Sequence, residues 1–152
     1  MLTNNWQGVL NNVMNQTVPG NTCKTVEGVV TTSGYGISSG LMKYSPSMVI
    51  GTGVTPAKKT DFKMEEPIDS SKYDQSVSFY CTNDYEKESA SAKIVGIITN
   101  KSEETLNVTE VGYICKNGTQ NYSTSHLMMH EVYTTPIVFK PGETKSITIE
   151  LF

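Results

Sequence analysis

Arginine is missing from this chain: all twelve of its basic residues are lysines. Arg is the side chain best shaped to grip phosphate and guanine through two parallel hydrogen bonds. Its absence, with no basic run longer than Lys58-Lys59, argues against a nucleic-acid partner. Long apolar runs are missing too. No stretch approaches the roughly 18 apolar residues that a membrane-crossing helix requires, so no membrane partner is expected. The opening Met1-Leu2-Thr3-Asn4-Asn5-Trp6 has neither a basic region nor an apolar run. The expectation is therefore a product without a secretory signal, made in a cytoplasm. Cysteine is scarce and odd in number: Cys23, Cys81 and Cys115 stand far apart and outside any C-x-x-C spacing. That pattern fits neither a disulfide framework nor a zinc site, and reduced thiols are expected.

What is present points to strands. At 152 residues and a net charge of −3, the chain fits one domain, 1–152, large enough to bury a core without metal or disulfide. Nineteen Thr, with abundant Val, Ile and Tyr, suit pleated, half-exposed surfaces. Candidate strands are 23–31, 47–52, 76–82, 92–99, 106–116, 127–133, 136–139 and 144–151. In the last, Ile147, Ile149 and Leu151 alternate with Ser146, Thr148 and Glu150, so the first three are expected inward and the others outward. Its lead-in, Lys140-Pro141-Gly142-Glu143, reads as a Pro-Gly turn. Loops are expected at 33–40, 69–75, 83–91, 100–105 and 117–125, where Gly, Ser, Asn and Asp gather. Pro56 predicts one short helical turn within 54–63. Short strands at this spacing predict a mainly β fold, an antiparallel β-sandwich of immunoglobulin-like or jelly-roll-like type, over 22–152.

One segment departs from that pattern. Trp6, Val9, Leu10, Val13 and Met14 fall on one stripe at helical spacing, with Thr3 or Asn4 as the N-cap and Pro19-Gly20 as the stop. The spacing predicts a short amphipathic helix within residues 1–16. So short a helix must dock on something, and its five apolar residues are the candidate interface.

Candidate chemistry is thin. Gly36-Ile37-Ser38-Ser39-Gly40 has the G-x-S-x-G form, but no buried strand precedes it and no long helix has room to follow. His126 and His130 are spaced as zinc ligands on a helix would be, yet Leu127 to Tyr133 reads as a strand. Four strand residues span about 13 Å, too far for two ligands of one ion. Glu65 and Glu66, near Asp61, resemble a glycosidase pair only on paper, because adjacent residues of an extended chain point to opposite faces. Gly51-Thr52-Gly53 lacks the rest of a dinucleotide fingerprint. Sequons at Asn15, Asn100, Asn107, Asn117 and Asn121 follow from abundant Asn and Thr. Nothing supplies nucleophile, base and orienting group together, so neither enzyme activity, nor a metal, nor a cofactor is expected.

Two blocks carry a resemblance. One is Met48-Val49-Ile50-Gly51-Thr52-Gly53-Val54-Thr55-Pro56 with Asp61-Phe62-Lys63-Met64-Glu65-Glu66-Pro67-Ile68. The other is Leu127-Met128-Met129-His130-Glu131-Val132, then Pro136 to Thr144 and the terminal alternating strand. With the helix-first N-terminus and Val111-Gly112-Tyr113, their order resembles small β-sandwich proteins encoded among tailed-phage structural genes. His130 stands where that pattern has a basic residue. The resemblance implies a virion component: a capsid-associated accessory protein, of decoration or head-fibre-anchoring type. Its partners would be other virion proteins, the major capsid protein foremost, and copies of itself. The alternatives it leaves open are a tail or baseplate accessory and a carbohydrate- or receptor-binding β-module. In the first block Asp61 can cap a short turn, and Phe62 and Met64 would lie on the sheet.

Overall fold

The computed structural model describes residues 1–4, 22–32, 47–84, 89–119 and 122–150. Eight strands dominate: β1 Thr22–Lys24, β2 Val30–Thr32, β3 Ser47–Gly51, β4 Tyr73–Asp84, β5 Ser89–Asn100, β6 Leu106–Thr119, β7 Tyr122–Phe139 and β8 Thr144–Glu150. The fold is mainly β, as the composition predicts. Two antiparallel three-stranded sheets, ordered β3-β6-β7 and β4-β5-β8, carry it, and β1 and β2 form a separate ribbon. Among the described residues the helical content is one 3-10 turn, Ser70–Lys72, capped by Asp69 Oδ1 on the Ser71 N–H at 2.8 Å. No helix among them is long and apolar enough to cross a membrane.

Strand alternation decides what goes inside. On β8, Ile147 and Ile149 are buried while Ser146, Thr148 and Glu150 are exposed, the expected register; Leu151 lies outside the described residues. Ile149 pairs with Ile94 of β5, and Ile147 with Gly96. Met48 and Ile50 of β3, with Val111 and Tyr113 of β6, join them in one hydrophobic cluster drawn from both sheets. At Gly96 a Cβ would lie 2.3 Å from the Met48 sulfur, so the close approach of the layers requires glycine there. The Pro-Gly turn forms as read: Glu143 N–H donates to the Lys140 carbonyl at 2.9 Å, and Gly142 takes the positive φ, 74°, that such a turn demands. Asn100, fully buried, ties this turn to the 100–105 loop; its Nδ2 donates to the Glu104 and Phe139 carbonyls, and its Oδ1 accepts from Ser102. That side chain is spoken for, so the Asn100 sequon is not a glycan site.

Several boundaries differ from the sequence reading. The 23–31 run breaks into β1 and β2 because Gly28, at φ 85°, turns the chain and its N–H bonds back to the Thr25 carbonyl at 2.9 Å. The helical turn expected in 54–63 does not form. The Val54 and Thr55 N–H groups donate to the Glu65 carboxylate, each at 2.9 Å. The expected N-terminal helix, with its stripe Trp6, Val9, Leu10, Val13 and Met14, falls outside the described residues, as does Gly36 to Gly40. The Thr3 N–H donates to the Met128 carbonyl at 3.0 Å and its hydroxyl to the Leu127 carbonyl at 2.6 Å. Residues 1–3 thus line the edge of β7, with Leu2 bridging Met129.

Two irregularities in the β6–β7 ladder decide which side chains reach the outer face of this sheet. Met129 pairs with Tyr113 and Leu127 with Ile114, leaving Met128 as an extra residue. Farther along, Val108 pairs with Ile137 but Glu110 with Val132, so Thr109 stands opposite a detour over residues 133–136. Pro136, which has no N–H for a ladder, is accommodated in that detour. The two strands expected at 127–133 and 136–139 are therefore one strand with an excursion. Before the detour Leu106 and Val108 face the shared core; after it Val111 and Tyr113 do. That change of parity turns Glu110 onto the other face of the sheet.

Candidate functional site

The segment between β3 and β4 folds back over that outer face. Thr52 N–H donates to the Glu66 carbonyl at 2.9 Å, and Ile68 N–H to the Ile50 carbonyl at 2.8 Å. Met64 is buried there beside Leu127 and Gly112; a Cβ on Gly112 would lie 2.4 Å from the Met64 sulfur. Met64 therefore lies on the sheet as expected. Phe62 is half-buried, with the Lys24 ammonium 3.7 Å over its ring.

Beneath this segment sits Glu110, with no exposed surface. Taking a carboxylate out of water costs several kcal/mol unless a counter-charge and hydrogen bonds offset it. Both are present. His130 Nε2 bonds Glu110 Oε1 at 2.8 Å, Oε1 also accepts the Glu65 N–H, and Oε2 accepts the Glu66 N–H at 3.0 Å. Burial by itself would push the Glu110 carboxyl up, but the His130 bond and the two backbone bonds together hold it below the usual range. His130, 4% exposed, turns Nδ1 to Asp61 Oδ2 at 2.7 Å. Burial would lower this imidazole, yet the bonds to Glu110 and Asp61, and their charges, raise it above its ordinary value. Asp61 Oδ2 also accepts the Lys58 N–H at 2.7 Å, so Asp61 caps the turn at 58–61 as the sequence suggests.

The glycines of the Gly-Thr-Gly block now have a reason. A Cβ on Gly51 would lie 2.5 Å from Glu110 Oε2 and 2.6 Å from the Glu66 carbonyl oxygen, and one on Gly53 would lie 2.7 Å from Oε2. The block is a seat for a buried carboxylate. Glu65 and Glu66 serve the same segment through separate partners. The Thr55 hydroxyl donates to Glu65 Oε1 at 2.6 Å, and the Thr52 hydroxyl to Glu66 Oε2 at 3.0 Å. They share no substrate-facing point, which argues against an acid/base pair.

Beside the cluster lies an open groove of about 390 Å³, lined by Thr55, Lys58, Asp61, Phe62, Lys63 and His130 among others. His130 presents it no spare nitrogen, since both are bonded to carboxylates. The arrangement fastens the 58–66 segment to the sheet. His126 lies elsewhere: it pairs with Cys115 whereas His130 pairs with Gly112, positions of opposite parity on β6. The histidines thus sit on a strand and on opposite faces of it. His126 Nδ1 lies 3.4 Å from the Lys24 carbonyl, and burial holds its pKa below the ordinary value.

The sequence brings Asp61 and His130 into view but not their connection, and it misses Glu110. The clue is an acid in the middle of an apolar strand, Val108-Thr109-Glu110-Val111, which needs a partner if buried. His130, placed where the resemblance has a basic residue, supplies the positive charge when protonated. Compared with family models, curated proteins and solved structures, the chain matches none.

Proposed function

We propose that this chain is a β-sandwich structural subunit that works by packing against other proteins, as an accessory component of a tailed-bacteriophage head. It would sit on the capsid as a decoration or head-fibre-anchoring protein, in contact with the major capsid protein and with copies of itself. The observation that carries the reading is the Asp61–His130–Glu110 cluster. The two blocks behind the phage resemblance meet there, Asp61 of the first bonding His130 of the second at 2.7 Å, with Glu110 of β6 beneath them. The outer face of β4-β5-β8 supports the reading from the other side. There Ser76, Ser78, Val95, Thr99, Ser146 and Thr148 lie around Ile97, which is 48% exposed, and Tyr80, which is 50% exposed, pairs with Lys93, whose ammonium lies 5.8 Å over its ring. Short hydroxyl side chains lose little entropy on contact, and an exposed Ile and Tyr offer anchors.

Particles purified from the source of the chain should contain it at a fixed ratio to the major capsid protein by quantitative mass spectrometry. Ile97→Lys should leave the melting temperature within a few degrees, because the site is exposed, but lower its occupancy on particles. Absence from particles, with glycan binding by the isolated protein, would replace this reading by the carbohydrate-binding one.

A further inference from the structure

We infer that the Asp61–His130–Glu110 cluster is a pH-operated latch that releases the 58–63 turn, which borders the open groove, when His130 loses its proton. The geometry requires two donors from one imidazole: Nε2 faces Glu110 Oε1 at 2.8 Å and Nδ1 faces Asp61 Oδ2 at 2.7 Å. Only the cation has both. A neutral ring keeps one N–H and turns a lone pair toward the other carboxylate, where attraction becomes repulsion.

Which bond goes is set by burial. Glu110 has no exposed surface, whereas the Asp61 side chain is 23% exposed. Water can take over at Asp61 but not at Glu110, so the remaining proton stays on Nε2 and the Asp61 bond is lost. Glu110 also keeps the Glu65 and Glu66 N–H groups, so the 64–68 part of the segment remains fastened. The moving part is the turn that carries Asp61. It is held otherwise by the Asn4 N–H on the Lys59 carbonyl at 2.8 Å, by Asp61's own bonds to Lys58, and by the Lys24 ammonium 3.7 Å over the Phe62 ring.

The charged groups around His130 fit this assignment. Glu110 faces it from β6 and Asp61 from the turn. Lys58, Lys63 and Glu65 line the groove, with the Glu65 carboxylate held by Thr55. On β7 itself, Glu131 accepts the Tyr133 hydroxyl at 3.1 Å. The Met1 amine lies 2.9 Å from the His130 carbonyl and 3.6 Å from Glu131. Among the described residues no other cation forms an ion pair with either carboxylate, so protonation of His130 is what joins them.

The test is a pH titration of the whole chain between about pH 5 and 9, following the imidazole by NMR and amide protection factors by hydrogen exchange. As His130 deprotonates, protection at Asn4 and Asp61 should fall about tenfold or more, while Glu65, Glu66 and Ile68 hold theirs. In His130→Gln the step should vanish. In Asp61→Asn, which spares the buried pair, His130 should titrate at lower pH and the step should again be missing. The latch is overturned if His130 titrates without the step, if it does not titrate in this range, if Glu65 and Glu66 open in parallel, or if the step survives in His130→Gln. None of these outcomes depends on what the protein assembles with.

Discussion

Glu110→Ala should destabilise the protein by about 3–5 kcal/mol in denaturant unfolding, far more than a strand-surface Glu would. The substitution removes one partner of a buried pair and leaves three donors, the His130 Nε2–H and the Glu65 and Glu66 N–H groups, with no acceptor. Each uncompensated buried donor costs about 1–3 kcal/mol, and partial relaxation brings the sum back into the stated range. The pH dependence should change with it. The folded Glu110 carboxyl titrates below its ordinary 4.5, so its contribution is complete above about 4.5 and is lost as pH falls through the depressed value. The folded His130 imidazole titrates above its ordinary 6.5, so its contribution is complete below about 6.5 and is lost as pH rises through the raised value. The native chain should draw most from this cluster between those two values. In Glu110→Ala that maximum should flatten on both sides, because His130 loses its first partner as well. A loss below about 1 kcal/mol with an unchanged pH profile would mean that the carboxylate is in contact with water.

Ile149→Ala should cost about 2–5 kcal/mol, whereas Thr148→Ala beside it should cost well under about 1 kcal/mol. Ile149 is fully buried and pairs with the equally buried Ile94, so its truncation leaves a cavity where the two sheets meet. Thr148 is exposed and only flanks Val95 on the outer face. Equal costs for the two would put the β8 register out by one residue.

The β8 result also marks what the sequence makes legible. Strict alternation over residues 145–150 specifies both the strand and its buried face, because a period of two has only one other register, with every apolar side chain in water. The Pro141-Gly142 turn is legible for a similar local reason, since few residues accept a positive φ. Asp61 as a turn cap belongs to the same class. Glu110 does not. Its outward aim depends on the irregularity opposite residues 133–136, a relation between residues about 25 apart in the chain. Its partner His130 reads locally as half of a possible metal pair with His126, and only the extra residue at Met128 separates their faces. The Gly51 and Gly53 positions look like a nucleotide loop until the carboxylate they accommodate is known. Local chemistry gives the elements, and the register between residues far apart along two paired strands gives the site.

The claim that this cluster is a mutual clamp is tested most directly by a double-mutant cycle on Glu110→Gln and His130→Gln, measured by denaturant unfolding near pH 6. If the two groups hold each other in place, either single change should cost several kcal/mol, and the double mutant should cost about as much as one of them. The coupling would then be as large as the cost of one single change, about 3–5 kcal/mol. Costs that add to within about 0.5 kcal/mol would contradict the clamp and make the contact between Glu110 and His130 incidental to the fold.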